Sequence, residues 1–407
     1  MRTILSKFLL PVFCPSIVVA VVQQGLLVIL PLYILHLGGS MAEAAAVVGL
    51  RGIGMMLADI PAGLMLEKVG DKFMMLFASI LFFTAMLMMG LIPETLIIMA
   101  SAILLGFAHG CWLVGRVSYV GLVAEAWERG RVMALSAGII RFGSVIGPIT
   151  AGVFISLLGY EHTILLFAFS SLLMAFFVMG WVVNHLPSQL SENSNPVSHK
   201  SHSIMQIADV MVEHRKLFAT TGVGAISLML VRSSRSLLLP LIGAALLLDE
   251  SSIGFAIACG AVVDTLLFYP AGSLMDRIGR KPILLISLFA LGCGLIGMSF
   301  VNSYYALIGL AVLLGLGNGF SAGVIMTIGA DLAPDKNRGG FIGVWRLLTD
   351  MGTTAGPFII SGTVKVLSLA AAAQLAGALG VFSAIYLLYK MQESGPKTVT
   401  PIPNKSD

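Results

Sequence analysis

Charged side chains are scarce in this sequence, because Asp, Glu, Lys and Arg make up only 11% of its 407 residues. Soluble globular proteins average about 25% charged residues, so this chain lacks the polar surface that keeps a domain in water. No polar stretch is long enough to bury a core of its own, which excludes a soluble catalytic domain, a nucleic-acid module and a large ectodomain. Apolar residues instead make up 57% of the chain, and the mean hydropathy is +0.97. The composition therefore predicts an integral membrane protein.

Enzyme motifs are also missing. The sequence contains no HExxH, no Walker loop, no GxSxG and no paired nucleophile and base, so we expect neither an enzyme nor a cofactor. Its four cysteines, Cys14, Cys111, Cys259 and Cys293, lie inside apolar runs and have no metal-ligand spacing. This pattern predicts free buried thiols and no metal site.

Apolar runs predict twelve membrane-spanning helices of about 20 residues each. The predicted breaks are near residues 38–43, 67–72, 93–94, 123–131 and 159–162, and then near 249–252, 276–282, 302–303, 333–339 and 366–369. The chain divides into a six-helix bundle at 1–186, a cytoplasmic linker at 187–216, a second bundle at 217–390 and a disordered cytoplasmic tail at 391–407. The N-terminal segment has basic residues followed by an apolar run, as a signal peptide does. No A-x-A cleavage site follows it, so we expect the segment to be an uncleaved first span.

The two halves of the sequence repeat one another at an offset of 209 residues, without a gap from the first span of each half to the fifth. The matches include Pro31 with Pro240, the PAG at 61–63 with that at 270–272, Gly106 with Gly315, and Gly110 with Gly319. Coincidence does not supply that register, which indicates duplication of a six-helix unit. Parallel halves of this kind enclose a central substrate cavity in secondary transporters.

Basic residues predict the orientation of the chain. Of its 24 Lys and Arg, six arginines fall within spans, 17 residues lie on the face of the N-terminus and only Lys365 lies on the other face. The positive-inside rule places both termini and the linker in the cytoplasm. We expect a monomer in a bacterial inner membrane.

Two loops carry a repeated charged motif. Its residues are Gly63, Glu67, Lys68, Gly70, Asp71 and Lys72 after the second span, and Gly272, Asp276, Arg277, Gly279, Arg280 and Lys281 after the eighth. With the doubled layout, these loops resemble the major facilitator superfamily, whose signature between spans two and three is G-x-L-x-D-R-x-G-R-K. The resemblance implies an all-α membrane protein of twelve transmembrane helices in two pseudo-symmetric six-helix bundles. The glycines permit a tight turn and close helix approach, and the charges pair with helix ends and neighbouring loops. Asp71 stands where the family has a basic residue. We therefore expect the first copy of the motif to hold its neighbouring loops more weakly than the second copy does.

The fifth span resembles the antiporter motif of the same family, G-x8-G-x3-G-P-x2-G-G. The matching residues are Gly143, Gly147, Pro148 and Gly152, repeated in the eleventh span as Gly352, Gly356 and Pro357. Small residues at this spacing allow close helix packing, and in the family this motif accompanies export more often than import. The fourth span departs from the exporter pattern R-x-x-Q-G, since it has Gly106 and His109 there. Arg116 either substitutes for the missing arginine or lies at the cytoplasmic end of the span.

Nine ionisable residues remain within the predicted spans, and each costs at least about 2.5 kcal/mol at the bilayer centre, so they pair or line a wet cavity. They are Arg51, Arg116, Arg141, Arg232, Arg235 and Arg346, with Asp59, Asp264 and Asp350. Arg232 and Arg235 share one helix face and are predicted to clamp an anionic or strongly polar group. Alternatively, both pair structurally with the aspartates. Arg141 and Asp350 match under the 209 offset, which makes a cross-half ion pair conceivable.

Substrate binding is assigned to Gln23, Gln24, Arg51, Arg141, Arg232, Arg235 and Arg346. Proton coupling needs a group that loses its charge, which a buried Asp does and Arg does not. Asp59 and Asp264 are the first two candidates, and Asp350 is third because Arg346 precedes it by one helical turn. His36, His109 and His162 are alternatives, with His109 expected to bond within a helix seam.

Two functions remain open at this point. The first is proton-coupled export of a small amphiphilic compound or metabolite by alternating access. The second is transport, in either direction, of an organic or lipid-like anion, since buried positive charge exceeds buried negative charge. Both imply a small-molecule substrate, a surrounding bilayer and no nucleic acid.

Overall fold

The computed structural model describes residues 2–184, 210–321, 323–334 and 338–393. Within these residues, eleven helices are long and apolar enough to cross a bilayer, and a further helix, Arg338–Val366, completes a set of twelve. We number them as α1 (Ser6–His36), α2 (Met41–Val69), α3 (Asp71–Leu91), α4 (Thr95–Val123), α5 (Ala126–Leu158), α6 (Tyr160–Trp181), α7 (Arg215–Ala245), α8 (Glu250–Ile278), α9 (Arg280–Phe300), α10 (Tyr304–Leu332), α11 (Arg338–Val366) and α12 (Leu369–Lys390). The predicted twelve-helix membrane architecture is confirmed.

Of the twelve helices, α11 is the one that is not among the eleven apolar spans. Its 29 residues are enough to cross the roughly 30 Å hydrocarbon core at about 1.5 Å per residue. Arg346, Asp350 and several threonines interrupt its apolar character. A spanning helix with such residues faces protein or water rather than lipid, which marks α11 as part of a polar interior.

Part of the predicted linker and tail lies outside the described residues. Residues 210–213, at the end of the linker, are helical, and α7 begins at Arg215. Residues 185–209 and 394–407, with the basic residues Lys200, Lys397 and Lys405, are among those not described, and so is Lys336. The domain boundaries therefore stay a prediction.

The 209-residue repeat extends further than the sequence comparison indicated. Helices α2 and α8 begin and end at matching positions, and so do α6 and α12, which carries the register through the sixth span of each half. The turns after α2 and α8 pass through Gly70 at φ +82° and Gly279 at φ +97°. Only glycine adopts this region of φ readily, so the tight turn predicted for both charged loops is present.

In each half, the last described residues form matching hydrogen bonds with the start of α3 or α9. Asn184, after α6, accepts the backbone N–H of Lys72 at 3.1 Å, and Glu393, after α12, accepts that of Arg280 at 2.8 Å. Lys72 and Lys281 each donate from Nζ, at 2.9 Å, to a backbone oxygen in the last turns of α6 and α12. The start of α3 or α9 is thereby fixed to the end of the same half.

On the other face of the protein, α2 and α8 begin with matching caps. Ser40 forms a capping box with Glu43 at the start of α2, and Asp249 accepts from Ser252 Oγ at 2.7 Å and from its backbone N–H at 2.9 Å. These hydrogen bonds hold the pKa of the Asp249 carboxyl below its usual value. Caps of this type fix where each helix starts.

Two main seams join the halves, one between α2 and α11 and one between α5 and α8, and α1 makes a smaller contact with α7. We call the side of the two charged loops the basic face. At the opposite face both seams are tight, since Ser361 donates to the Ala42 backbone oxygen at 2.7 Å and Ser156 lies 2.7 Å from Ser251. Gly254 packs directly on the backbone oxygen of Pro148. The halves are therefore closed together at the face opposite the basic loops.

Towards the basic face the packing around α2, α8 and α11 is looser. A Cβ added at Gly63, Gly272 or Gly343 would meet no heavy atom of the described chain within 4 Å beyond its own helix. Large apolar side chains on these stretches are also exposed, among them Leu64 and Leu266. The expected close approach at Gly63 and Gly272 is thus absent in this conformation.

One smaller expectation needs correction, and the structure adds one difference between the halves. All four cysteines are free, but only Cys111 is buried and Cys293 is exposed, because the face of α9 that carries Cys293 points away from its neighbours. Helix α10 is interrupted between Phe320 and Val324, with Gly323 at φ +77°. Its counterpart α4 is continuous, so the two halves differ at this point.

Candidate functional site

The nine intramembrane charges gather into three groups where the halves meet. The Asp264 cluster consists of Asp264, Arg141, Arg232, Arg235 and Asn318. The Asp350 cluster consists of Asp59, Arg346 and Asp350, and the cationic cluster consists of Arg51, His109 and Arg116. Two ion pairs join the halves, Arg141 with Asp264 at the α5–α8 seam and Arg346 with Asp59 at the α2–α11 seam.

The Asp264 cluster is built around one buried carboxylate on α8, whose residue is 3% exposed. Arg141 of α5 forms an ion pair with one carboxylate oxygen, and Asn318 of α10 donates to the other at 2.6 Å. Phe268, one turn further along α8, lies 5.2 Å from the Arg141 guanidinium. These contacts fix the orientation of both charged groups.

Arg232 and Arg235 of α7 lie within electrostatic range of Asp264 and Arg141. Arg235 is 8% exposed and donates to the Leu314 backbone oxygen at 3.3 Å, while its Nε has no hydrogen-bond partner in the described part of the chain. The Arg232 guanidinium makes no hydrogen bond or ion pair with any described residue. Three guanidiniums thus lie within electrostatic range of a single carboxylate, and among the described residues only Arg141 forms an ion pair with it.

The Asp350 cluster lies at the other seam. Arg346 of α11 donates to Asp59 of α2 at 3.0 Å and lies 3.6 Å from Asp350, one turn along its own helix. The two carboxyl groups also interact with each other. One guanidinium balances one carboxylate, so this cluster carries one negative charge more than positive unless a proton is bound.

The cationic cluster belongs to α2 and α4. Arg51 donates to Gln23 Oε1 of α1, and its Nε is buried without a hydrogen-bond partner among the described residues. Arg116 is 9% exposed, and no described group pairs with its guanidinium. The electrostatic neighbours of His109 are Arg51, Arg116 and Arg346. His109 therefore faces other cations, and the bond within a helix seam expected for it is wrong.

Two other expected arrangements differ from the structure. The conceivable pair between Arg141 and Asp350 does not form, because the repeat that equates them places them on separate seams. Gln24 packs against Gly147 of α5, whereas the neighbouring Gln23 reaches Arg51. A shift of one residue turns a side chain by about 100° on a helix, and hydropathy did not resolve which glutamine faces the charges.

The glycines of the predicted antiporter motif pack closely against neighbouring helices. Gly143 and Gly147 contact α1, Gly152 contacts the Glu250 backbone oxygen of α8, and Gly352 and Gly356 contact α7. Pro148 and Pro357 lie inside α5 and α11. Close helix packing is thus present, and the role of the motif in exchange stays a prediction.

The two charged loops differ in their ion pairs. Arg280 of the second copy lies 3.0 Å from Asp331 and 3.8 Å from Asp276. In the first copy, the matching Asp71 is fully buried and one of its oxygens accepts the Lys72 backbone N–H at 2.8 Å. The side chains of Glu67, Lys68 and Arg277 make no hydrogen bond or ion pair with the residues that the structure describes.

Asn318 and Phe268 were not foreseen in the sequence. The 209 offset equates Asn318 with His109 and Phe268 with Asp59, so the repeat carried a signal for both positions.

An apolar groove of about 690 Å³ lies between α1 and α5, on the basic side of Arg141. Its lining residues are Ile17, Arg131, Ala134, Leu135, Gly138, Ile139 and Phe142. Within the described residues, no group of three or more His, Cys, Asp or Glu could hold a metal ion.

Comparisons with known proteins agree with this architecture. The sequence profile described as Major Facilitator Superfamily matches residues 12–223 and 221–406. An uncharacterized MFS-type transporter of Methanocaldococcus jannaschii is 19% identical over 84% of this chain and 87% of its own. The multidrug resistance protein MdtG of Salmonella dublin is 25% identical over 79% of this chain and 78% of its own.

Solved structures show the same fold. A crystal structure of a POT family transporter with 5-aminolevulinic acid is similar with a TM-score of 0.74, at 13% identity, covering 92% of this chain and 94% of that one. A point mutant of the nucleoside transporter NupG gives a TM-score of 0.76 at 14% identity, covering 93% of this chain and 98% of that one.

Proposed function

The chain belongs to the Major Facilitator Superfamily, and from that premise we propose that it exports a small amphiphilic organic anion in exchange for protons. The family membership makes it a secondary transporter of a small molecule in a lipid bilayer and not an enzyme. The observation that carries the finer proposal is the Asp264 cluster, in which Arg141 pairs with one carboxylate and Arg232 and Arg235 lie within electrostatic range of it.

An anion is the ligand that this cluster favours. Each intramembrane guanidinium is costly, by about 2.5–3.5 kcal/mol on insertion scales, unless an opposite charge or water compensates it. Asp264 compensates one guanidinium, and a bound carboxylate or phosphate compensates a second through charge-assisted hydrogen bonds. The Arg232 guanidinium makes no hydrogen bond to a described residue, so its donors are available to a ligand. The apolar groove near Arg141 supports an amphiphilic body on the same ligand.

The Asp350 cluster is our candidate for proton binding. It holds Asp59 and Asp350 with a single guanidinium between them. Adding a proton leaves the cluster neutral. On Asp59 the proton removes the ion pair with Arg346 that crosses the α2–α11 seam, whereas on Asp350 it removes only the pair within α11. We therefore assign proton coupling to Asp59 and Asp350, and treat Asp264 as the internal counter-ion of the substrate site.

Export and orientation rest on two further supports. One relative with broad coverage is named a multidrug resistance protein, and α5 and α11 carry the small-residue spacing that resembles an antiporter motif. The 17-to-1 distribution of basic residues supports cytoplasmic termini in an inner membrane. In that orientation the tight contacts of both seams lie at the periplasmic face, and the more loosely packed face is cytoplasmic, where an exporter loads its substrate.

A binding experiment tests the anion. We expect phenylpropionate to raise the apparent melting temperature of the purified full-length protein more than phenylpropylamine, which has a similar apolar body and the opposite charge. Arg232→Gln with Arg235→Gln should remove the response to the anion, and Arg215→Gln, at the exposed start of α7, should keep it. A larger response to the amine, or equal responses in all three proteins, would contradict the proposal.

Transport in proteoliposomes tests proton coupling. We expect an imposed pH gradient to drive radiolabelled phenylpropionate against its concentration gradient in the wild-type protein. Asp350→Asn should abolish the response to the gradient while substrate exchange across the membrane continues. Gradient-driven transport that survives in both Asp350→Asn and Asp59→Asn would remove these residues from coupling.

Export of an uncharged or cationic drug is the second candidate. The apolar groove and the named function of MdtG favour it. It predicts that Arg232→Gln with Arg235→Gln leaves ligand binding unchanged, because neither guanidinium would contact such a compound.

A further inference from the structure

The interruption of α10 lies directly beside the Asp264 cluster. Asn318, in the first segment of α10, donates to Asp264 at 2.6 Å. Its own backbone oxygen accepts from the backbone N–H of Ser321 at 3.1 Å and from Ser321 Oγ at 2.6 Å. Gly323 follows at φ +77°, and a second helical segment, Val324–Leu332, continues towards the basic face. Helix α10 is therefore interrupted just after the side chain that orients the Asp264 carboxylate.

Two neighbouring helices hold the second segment. Trp345 of α11 donates from Nε1 to the Ile325 backbone oxygen at 3.0 Å. The indole packs on Gly329, where an added Cβ would lie 2.5 Å from Nε1. Further along the segment, Arg280 of α9 donates from Nε to Asp331 at 3.0 Å. Because a glycine at positive φ separates the two segments, helix geometry does not fix the direction of the second one. Its direction depends on the contacts with α9 and α11.

Trp345 also lies next to the proposed proton site. Its side chain is buried, and the ring of Phe341 stacks beside it at a centroid distance of 6.4 Å. The next residue of α11 is Arg346, which pairs with Asp59 at 3.0 Å and lies 3.6 Å from Asp350. Asp59 belongs to the opposite half, so a proton on it removes the ion pair that joins α11 to α2. A displacement of α11 that follows reaches the second segment of α10 through the Trp345 hydrogen bond.

The N-terminal half shows the same fold without this connection. Under the 209 offset, Trp345 matches Ser136, whose hydroxyl donates to the Val132 backbone oxygen of its own helix at 2.9 Å. Gly323 matches Val114, which lies within the continuous helix α4. The interruption and the indole contact therefore occur together in one half of the protein. Since the repeated fold requires neither of them, their joint presence indicates a function of that half.

We propose that Trp345 is a positioning residue that couples the proton site to the anion site through the second segment of α10. This inference rests on the proposed function, because it takes the Asp350 cluster as the proton site and the Asp264 cluster as the anion site. Without a proton, α11 holds the second segment and Asn318 keeps its hydrogen bond to Asp264. With a proton bound, α11 shifts, the chain turns at Gly323, and Asn318 releases its carboxylate oxygen. That oxygen then competes with the anion for the neighbouring guanidiniums, so proton and anion exclude one another.

The test measures how the affinity for an anion depends on pH. Titration calorimetry of the purified full-length protein gives the dissociation constant of phenylpropionate at about pH 6 and about pH 9, where its carboxylate stays ionised. We expect the wild-type protein to bind it at least about tenfold more weakly at the lower pH, or by about 1.4 kcal/mol. The charged groups that face Asp350 are Asp59 of α2 and Arg346 of its own helix, and His109 of α4 is an electrostatic neighbour of Arg346. Asp350→Asn should remove the pH dependence, which assigns it to this cluster and not to His109.

Two variants disrupt the Trp345 contact from opposite sides. Trp345→Phe removes the indole N–H and keeps an aromatic ring, and Gly329→Ala displaces the indole with its added methyl group. In each variant we expect the difference in affinity between the two pH values to fall below about threefold. The affinity at about pH 9 should stay within about twofold of the wild-type value, because Asn318 belongs to the first segment and keeps its contact with Asp264. Either variant is sufficient if the other fails to fold.

Each variant has a matched control. Trp127→Phe removes an exposed indole that donates to Glu125 at 2.8 Å, at the start of α5. Gly309→Ala lies in the first segment of α10, where an added Cβ would meet no heavy atom of the described chain within 4 Å beyond its own helix. Both controls should keep the wild-type dependence on pH. A loss in the controls equal to that in the variants would overturn the inference.

The outcomes separate this inference from the proposed function. If both Trp345→Phe and Gly329→Ala keep the wild-type dependence on pH, coupling does not pass through Trp345, and the inference fails while the proposed function stands. If the wild-type protein binds phenylpropionate equally at both pH values, proton coupling is removed from the proposed function. If it binds an amine and not the anion, the anion is refuted. Either of these last two results overturns the inference as well.

Discussion

Replacing Asp264 with asparagine should separate the stability of the apo protein from its response to anions. In the wild-type protein, the Asp264 side chain is 5% exposed and that of Arg141 is 14% exposed, so solvent screens their interaction little. A carboxylate and a guanidinium with charge centres about 4 Å apart attract by about 4 kcal/mol at an effective dielectric constant of 20. A hydrogen bond that Arg141 donates to the new asparagine amide recovers about 1 kcal/mol of this lost attraction.

The net cost of Asp264→Asn is therefore about 3 kcal/mol, within the range of about 3–5 kcal/mol found when one partner of a buried pair is removed. The substitution also leaves three arginines without a carboxylate among them. A bound anion then becomes their only counter-charge. We expect phenylpropionate to raise the melting temperature of Asp264→Asn by more than it raises that of the wild-type protein.

The assay is thermal unfolding of purified protein with and without the anion. Asp276→Asn is the control, because that side chain is 73% exposed and lies 3.8 Å from Arg280. Its stability should change by less than about 0.5 kcal/mol. If Asp264→Asn were as stable as the wild-type protein and responded to the anion no more strongly, the counter-ion role of Asp264 would be refuted.

Three further predictions concern other parts of the site. Arg235→Gln should weaken phenylpropionate binding about tenfold or more by loss of a charge-assisted hydrogen bond, measured by titration calorimetry; no change would place Arg235 in a structural role. Asp350→Asn should make substrate transport independent of external pH, measured as initial rates in proteoliposomes; an unchanged pH profile would exclude it from coupling. Gly254→Val should force the α5–α8 seam apart at the Pro148 backbone oxygen and raise labelling of cysteines introduced at that face, whereas Gly272→Val, which faces open space, should not. Equal labelling in both variants would contradict the closed seam.

Helix number and symmetry could be predicted from the sequence because both depend on quantities that the sequence shows directly. Apolar runs set the spans, and the 209 offset set the equivalence of the halves. The structure adds that the register persists to Asn184 and Glu393. Asn184 and Glu393 are different residue types, so the sequence comparison did not show that they match. Their equivalent hydrogen bonds to backbone N–H groups show it.

Pairing among the charges could not be predicted in the same way. Which face of a helix meets which neighbour depends on its rotation, and helices apolar on every side give no periodic signal for it. The sequence singled out Arg141, Asp264 and Asp350 but not the partner of each. Asn318 went unnoticed because a single amide in an apolar run is common, and only its contact with Asp264 makes it informative.

The hydrogen bonds accepted by Asn184 and Glu393 bear on where the polypeptide can be divided into two fragments. Each set of six helices holds its own last described residues by hydrogen bonds that lie within that half. Two fragments translated separately, one ending after Asn184 and one starting near residue 210, contain every described seam residue between them. Such a split chain is suited to reassembly in the membrane, and would allow either piece to be labelled or exchanged independently.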